Sequence, residues 1–172
     1  MAIDAEEMKW YILYTMPQHE KKISAYLKKI GVEHYLPLIP KTRKWSDRTK
    51  VIEFPLFPGY LFTYTDWAEG RIKALQHPGA KAYIRHQGEP AFMTGDEIEN
   101  LKMLVEHSRE IQSDPDTNFP PGQTVEVRYG PLKGVRGVVE RVKNKNRIYV
   151  RVPMLNRMVS AEVDVVDLNK VN

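Results

Sequence analysis

Residues 113 to 122 read SDPDTNFPPG, three prolines, two aspartates and a glycine set between segments of regular apolar spacing. Such a run supports neither a helix interior nor a central strand, because proline has no backbone N–H to give to either ladder. It divides the 172-residue chain into a domain over residues 1–112, a flexible linker over 113–122 and a second domain over 123–172. The charges divide there too. Residues 1–115 hold 16 basic and 16 acidic side chains and residues 116–172 hold 10 and 6, so the +4 surplus belongs to the second part.

The first part alternates strand and helix patterns. Lys9 to Tyr14 (KWYILY) reads as a buried strand. A helix follows, with Thr15 and Gln18 spaced as a capping box, Ile23, Leu27 and Ile30 as its apolar face and Gly31 as its stop. His34 to Ile39 reads as a strand ended by Pro40, and Tyr60 to Thr65 as another. Asp66 and Glu69 form a second capping box for a short helix through Leu75, after which Lys81 to Arg85 returns as a strand. A third box at Thr94 and Glu97 opens a helix with Ile98, Leu101, Leu104, Val105 and Ile111 on its apolar side. This order predicts an α+β fold, an antiparallel sheet flanked by helices in a split βαβ arrangement. The second part holds 13 valines in residues 123–172, in short alternating runs separated by Gly130-Pro131, Lys143 to Asn146 and Asn156. About five short strands in so few residues favour a small closed β-barrel, which leaves no open strand edges.

Little here resembles catalytic machinery. Without cysteine, disulfides, thiolate zinc sites, iron–sulfur clusters and a cysteine nucleophile are excluded. The histidines at 19, 34, 77, 86 and 107 lack metal-ligand spacing. The segment Gly130 to Gly137 (GPLKGVRG) is neither a Walker loop nor a dinucleotide fingerprint, and lies between strands rather than before a helix. The expectation is a non-enzymatic protein that uses no metal and no cofactor. Residues 1–9 carry three acids and do not read as a signal peptide, and the densest apolar stretch, Phe54 to Phe62, is too short to span a membrane. The chain is therefore expected to be soluble and cytoplasmic.

Three segments suggest binding. In Phe54-Pro55-Leu56-Phe57-Pro58-Gly59-Tyr60-Leu61-Phe62 the prolines remove ladder donors and Gly59 permits a turn. Phe57 and Tyr60 are then expected at the sheet margin, facing a shallow cleft suited to an apolar helix from a partner, although a buried strand is an equal alternative. Lys41 to Lys50 (KTRKWSDRTK) places five cations, among them Arg43, Lys44 and Arg48, around Trp45. A solvated hairpin tip is the plainer reading; cations beside an aromatic ring also suit single-stranded nucleic acid. On the first helix Lys22, Tyr26 and Lys29 recur at helical spacing beside Lys21 and Lys28, giving one basic face.

At these residues the sequence resembles the NusG family of transcription elongation factors, from about Lys9 to Val171. The resemblance rests on the opening strand Trp10-Tyr11-Ile12-Leu13-Tyr14, the early helical glutamate in Glu20-Lys21-Lys22, the turn Phe57-Pro58-Gly59-Tyr60, and the glycine-bounded run from Gly122 to Val138. It implies an N-terminal NGN domain followed by an SH3-like KOW barrel. It further implies docking on the clamp helices of the RNA polymerase β′ subunit, with Tyr14, Phe57, Pro58, Tyr60 and Phe62 lining or supporting the apolar cleft, and contact with the β gate loop. The first-helix residues Lys21, Lys22, Tyr26 and Lys29 would face the non-template DNA strand. The barrel would meet termination factor Rho or a ribosomal small-subunit protein through Met154, Leu155, Asn156 and Arg157. Leu155-Asn156 departs there from the Phe-Gly common in general factors.

Within the family, Tyr35-Leu36-Pro37-Leu38, Arg43 to Arg48 and Pro55 to Pro58 resemble the specialised UpxY-like antiterminators of polysaccharide operons. The implied function is antitermination by a monomeric, operon-specific paralogue. The alternatives are a general housekeeping member and, in a different class, a ribosome-associated KOW RNA-binding protein. Relatives of the RfaH type refold the barrel into a helical hairpin; the valine content argues for a stable barrel in this chain.

Overall fold

The computed structural model describes residues 7–108, 110–115, 122, 124–142, 145–163 and 168–170. The chain divides into two compact units, Met1–Gly95 and Asp96–Asn172. In the first, strands β1 (Lys9–Thr15), β2 (Glu33–Tyr35), β5 (Tyr60–Thr65) and β6 (Ala80–Tyr83) form an antiparallel sheet in the order β2-β5-β1-β6, and β9 (Phe92–Met93) also pairs with β1. Alternation along β1 separates two faces. Tyr11 and Leu13 point to the side where α1 (Glu20–Lys29) contributes Ile23 and Leu27 and α2 (Gly70–Leu75) contributes Ala74, and Leu61 and Tyr83 complete that core. Trp10, Ile12 and Tyr14 point to the other side, opposite Tyr64, Phe62 and Tyr60 of β5.

The helix ends show which sequence signals operate. Gly31 takes φ +72, and the N–H groups of Gly31 and Val32 reach back to Lys28 and Leu27, a Schellman stop. Asp66 Oδ1 accepts the backbone N–H groups of Glu69 and Gly70 at 2.7 and 3.2 Å, so it caps α2 although the helix proper begins at Gly70. The box expected at Thr15 and Gln18 does not form. Gln18 has φ +62 and turns the chain once more before α1 starts at Glu20, while the Thr15 hydroxyl donates to the Met16 carbonyl.

The strand expected from His34 to Ile39, ended by Pro40, is instead divided: β2 stops at Tyr35, and a new strand starts at Leu38 and continues past Pro40. β3 (Leu38–Lys44) runs through that proline and pairs only with β4 (Thr49–Pro55), forming a separate two-stranded arm. A strand with one neighbour tolerates a missing donor. A second small hairpin, β7 (Arg85–His86) with β8 (Glu89–Pro90), turns on Gln87 and Gly88, both at positive φ as a type I′ turn requires.

In the second unit the helix α3 (Gly95–His107) starts immediately after Thr94, and it ends at His107, short of Ile111. Strands β10 (Gln112–Pro115), β11 (Thr124–Val127), β12 (Arg136–Val142), β13 (Lys145–Val152), β14 (Arg157–Val163) and β15 (Leu168–Lys170) form one antiparallel sheet in the order β10-β14-β13-β12-β11-β15. Val127, Leu132, Val135, Val138, Ile148, Val152, Val159 and Ala161 are buried there.

Two boundaries therefore differ from the 1–112, 113–122 and 123–172 division. The units part at Gly95/Asp96, so α3 from Asp96 onward is grouped with the second unit. Residues 113–115, expected as linker, extend β10 along β14, with Gln112 opposite Ser160 and Pro115 opposite Arg157. A proline at the end of a marginal strand forfeits no central ladder bond. Residues 116–121 of the expected linker, and 143 and 144 of the expected turn, lie outside the described residues. Among the described residues no helix is long and apolar enough to cross a membrane.

Candidate functional site

The Phe57-Pro58-Gly59-Tyr60 segment is a tight turn closed by the Tyr60 N–H on the Phe57 carbonyl at 3.1 Å. Proline supplies the first central position, and Gly59, at φ +85, supplies the left-handed second position of a type II turn. Both backbone groups of Gly59 are held. Its N–H donates to Glu20 Oε1 at 2.7 Å, and its carbonyl accepts the Thr15 N–H at 2.8 Å. Glu20 is only 4% exposed, so its carboxylate is an internal fixture that joins the start of α1 to a turn distant in sequence.

This clamp determines what reaches the surface. Pro58 is exposed, Tyr60 is half-buried, and Tyr14 is 41% exposed with its ring centroid 5.5 Å from that of Tyr60. The β1–β6 ladder shifts register between Tyr14 and Thr15, at the strand end that presents the tyrosine. Phe57 and Phe62 are different. They are 1% and 0% exposed and meet edge to face at 6.1 Å, with Tyr35 stacked on Phe62 at 6.3 Å. The expectation that Phe57 faces an open cleft is corrected: it is core and packs on Phe62, while Tyr14, Pro58 and Tyr60 reach the surface. The turn directs Pro58 outward, leaving the preceding ring to fill the interior.

The cationic segments are arranged as follows. In the β3–β4 arm, Lys41, Arg43, Lys44, Arg48 and Lys50 are all exposed. The tip closes with the Trp45 N–H on the Arg48 carbonyl at 2.8 Å, and the guanidinium carbons of Arg43 and Arg48 lie 5.9 and 5.5 Å from the Trp45 ring. On α1, Lys21, Lys22, Lys28 and Lys29 are exposed. Tyr26 does not join them as a free ring. Its hydroxyl donates to the Lys73 carbonyl at 3.1 Å and its ring packs 5.3 Å from His77, so it fastens α1 to α2.

In the second unit, Pro153–Leu155 is a single 3-10 turn, and Asn156 follows at φ +49, with its N–H on the Pro153 carbonyl. Asparagine is among the few residues with a side chain that enter the left-handed region readily, so Asn156 fills a position natural to glycine. Met154, Leu155 and Arg157 are half-buried and Asn156 is exposed. Among the described residues no group of His, Asp and Glu is gathered as a metal site. The clamp by Glu20 is the site feature that sequence reasoning missed, since only the charge of that residue is visible there.

A family model described as transcription termination factor nusG matches residues 8–102. The chain is 27% identical over 175 residues to the transcription termination/antitermination protein NusG of Pseudomonas aeruginosa, covering 95% of this chain and 98% of that one. It is 24% identical over 179 residues to the protein of the same name from Bacillus subtilis, covering 95% and 99%. A solved structure of Thermotoga maritima NusG, on domain interaction in that protein, matches with a TM-score of 0.54 at 22% identity, covering 98% and 99%, a likeness of fold.

Proposed function

The chain belongs to the NusG family of transcription termination/antitermination proteins, and we propose that it acts by docking its first unit on RNA polymerase. In this reading Tyr14, Pro58 and Tyr60 receive the β′ clamp helices, Phe57 and Phe62 hold the surface from below, and a second contact reaches the β gate loop. A polymerase held closed over its nucleic acids pauses and terminates less. No chemical step is asked of the protein. Lys21, Lys22 and Lys29 face the non-template strand, with the β3–β4 arm also turned to nucleic acid. Met154, Leu155, Asn156 and Arg157 offer the second unit a protein partner, Rho or a ribosomal small-subunit protein. The arm and the Tyr35-Leu36-Pro37-Leu38 segment favour a specialised, operon-specific monomer.

The observation that carries the docking reading is the clamped turn. A clamped loop that exposes Pro58 next to Tyr60, whose ring meets that of Tyr14, offers apolar area with little ordering cost on binding. Capture of core RNA polymerase by the full chain, compared with Tyr14→Ala/Tyr60→Ala, tests it. Loss of at least about tenfold in affinity with an unchanged melting temperature is expected, as for aromatic hot spots. Undiminished capture overturns the reading. Phe57→Ala is unsuitable, because emptying a buried phenylalanine site costs about 3–5 kcal/mol of stability.

A further inference from the structure

The β3–β4 arm has a construction that a solvated tip does not require. All residues from 40 to 51 are exposed, so a two-stranded ribbon presents both faces to solvent. With seven residues in each strand and about 3.4 Å per residue, it extends on the order of 20 Å. Alternation places Lys41 and Arg43 on one face with Ile52 and Lys50 opposite, and Lys44 on the other face. Arg43 lies directly across from Lys50. Like charges in that relation destabilise a sheet, and none of the arm's five cations is in an ion pair among the described residues. A polyanion lying against the arm removes that repulsion.

The tip gathers two arginines at one ring: the guanidinium carbons of Arg43 and Arg48 lie 5.9 and 5.5 Å from the centroid of Trp45, which stays 41% exposed. A guanidinium stacked on an indole keeps its in-plane N–H groups free for bidentate bonds. The major groove of B-form DNA, about 12 Å wide, admits a two-stranded β-ribbon, and arginine pairs there with guanine O6 and N7. The major groove of an RNA duplex is too narrow for side chains to read. We infer that the arm is a major-groove probe for double-stranded DNA, with Trp45 aligning Arg43 and Arg48 as its reading groups. This rests on the reading that the arm faces nucleic acid.

The test is fluorescence anisotropy with the full chain on a duplex DNA of about 25 base pairs containing guanine runs, on its single strands and on an RNA duplex of equal sequence. Duplex DNA is expected to bind at least about tenfold tighter than either competitor. Arg43→Gln/Arg48→Gln is expected to weaken duplex binding about tenfold or more and to relax its preference for the guanine runs. Trp45→Phe should retain most of the affinity that Trp45→Ala loses, because phenylalanine can still support a guanidinium. Tighter binding of single strands or of RNA overturns the groove assignment and leaves the nucleic-acid role of the arm standing. Duplex binding unchanged in Arg43→Gln/Arg48→Gln, or no binding of any of the three by the parent chain, overturns both. Polymerase capture by the same variants reports docking separately and is expected to be unchanged.

Discussion

Gly59 and Glu20 show how a turn evident from sequence is held by a partner that is not. Proline followed by glycine announces the turn. Nothing local announces that a carboxylate 39 residues earlier accepts the glycine N–H. Glu20→Ala leaves that N–H buried without a partner, which costs about 1–3 kcal/mol. Thermal melts should show Glu20→Ala well below the parent, and Glu20→Gln, which keeps an acceptor oxygen, between them. Tyr83 is a second residue whose behaviour follows from its surroundings. Burial pushes its hydroxyl up to about 12, against a hydrogen bond with Thr63 at 3.0 Å that favours ionisation. An unfolded tyrosine ionises near pH 10. The contribution of Tyr83 to stability is therefore complete below about pH 10 and is lost as the pH rises toward 12. Denaturant unfolding at pH 9, 10 and 11 should show a loss of stability across this range that is reduced in Tyr83→Phe. Parallel curves for parent and variant would contradict the assignment.

At the scale of elements, patterned segments were legible and unpatterned ones were not. β1, β5 and α1 follow the alternation and helical spacing of their apolar residues. The β3–β4 arm was visible as a hairpin tip over residues 41–50 but not as strands reaching from Leu38 to Pro55, because Pro40 reads as a stop when the number of ladder partners is unknown. Its exposure also means that it contributes little to the core. Replacing residues 43–50 by Asn-Gly joins the paired residues Thr42 and Val51 through a two-residue turn. The melting temperature of the shortened chain should stay close to that of the parent, as for exposed sites generally. A large drop would show that the arm supports the fold.

For the molecule as a whole, the change from alternating elements to valine-rich strands was legible, and its exact place was not. A run of prolines resembles a linker whether or not its first residues pair with a neighbour, and β10 pairs. The buried Arg147 guanidinium shows why those residues matter: it donates to the Glu110 carbonyl at 2.7 Å as well as to Ser160. A fragment spanning 96–172 keeps both β10 and that carbonyl. One spanning 122–172 exposes the outer edge of β14 and leaves the guanidinium short of an acceptor. The longer fragment should melt higher and elute as a narrower peak; equal melting would remove β10 from the second unit's structure. The buried carboxylate of Glu20 has a last consequence. It heads the same helix that bears Lys21, Lys22 and Lys29 while gripping the loop that displays Pro58. Whatever tilts that helix must also drag the loop, so the aim of the cationic row and the pose of the tyrosine pair are geared together and cannot be tuned one at a time.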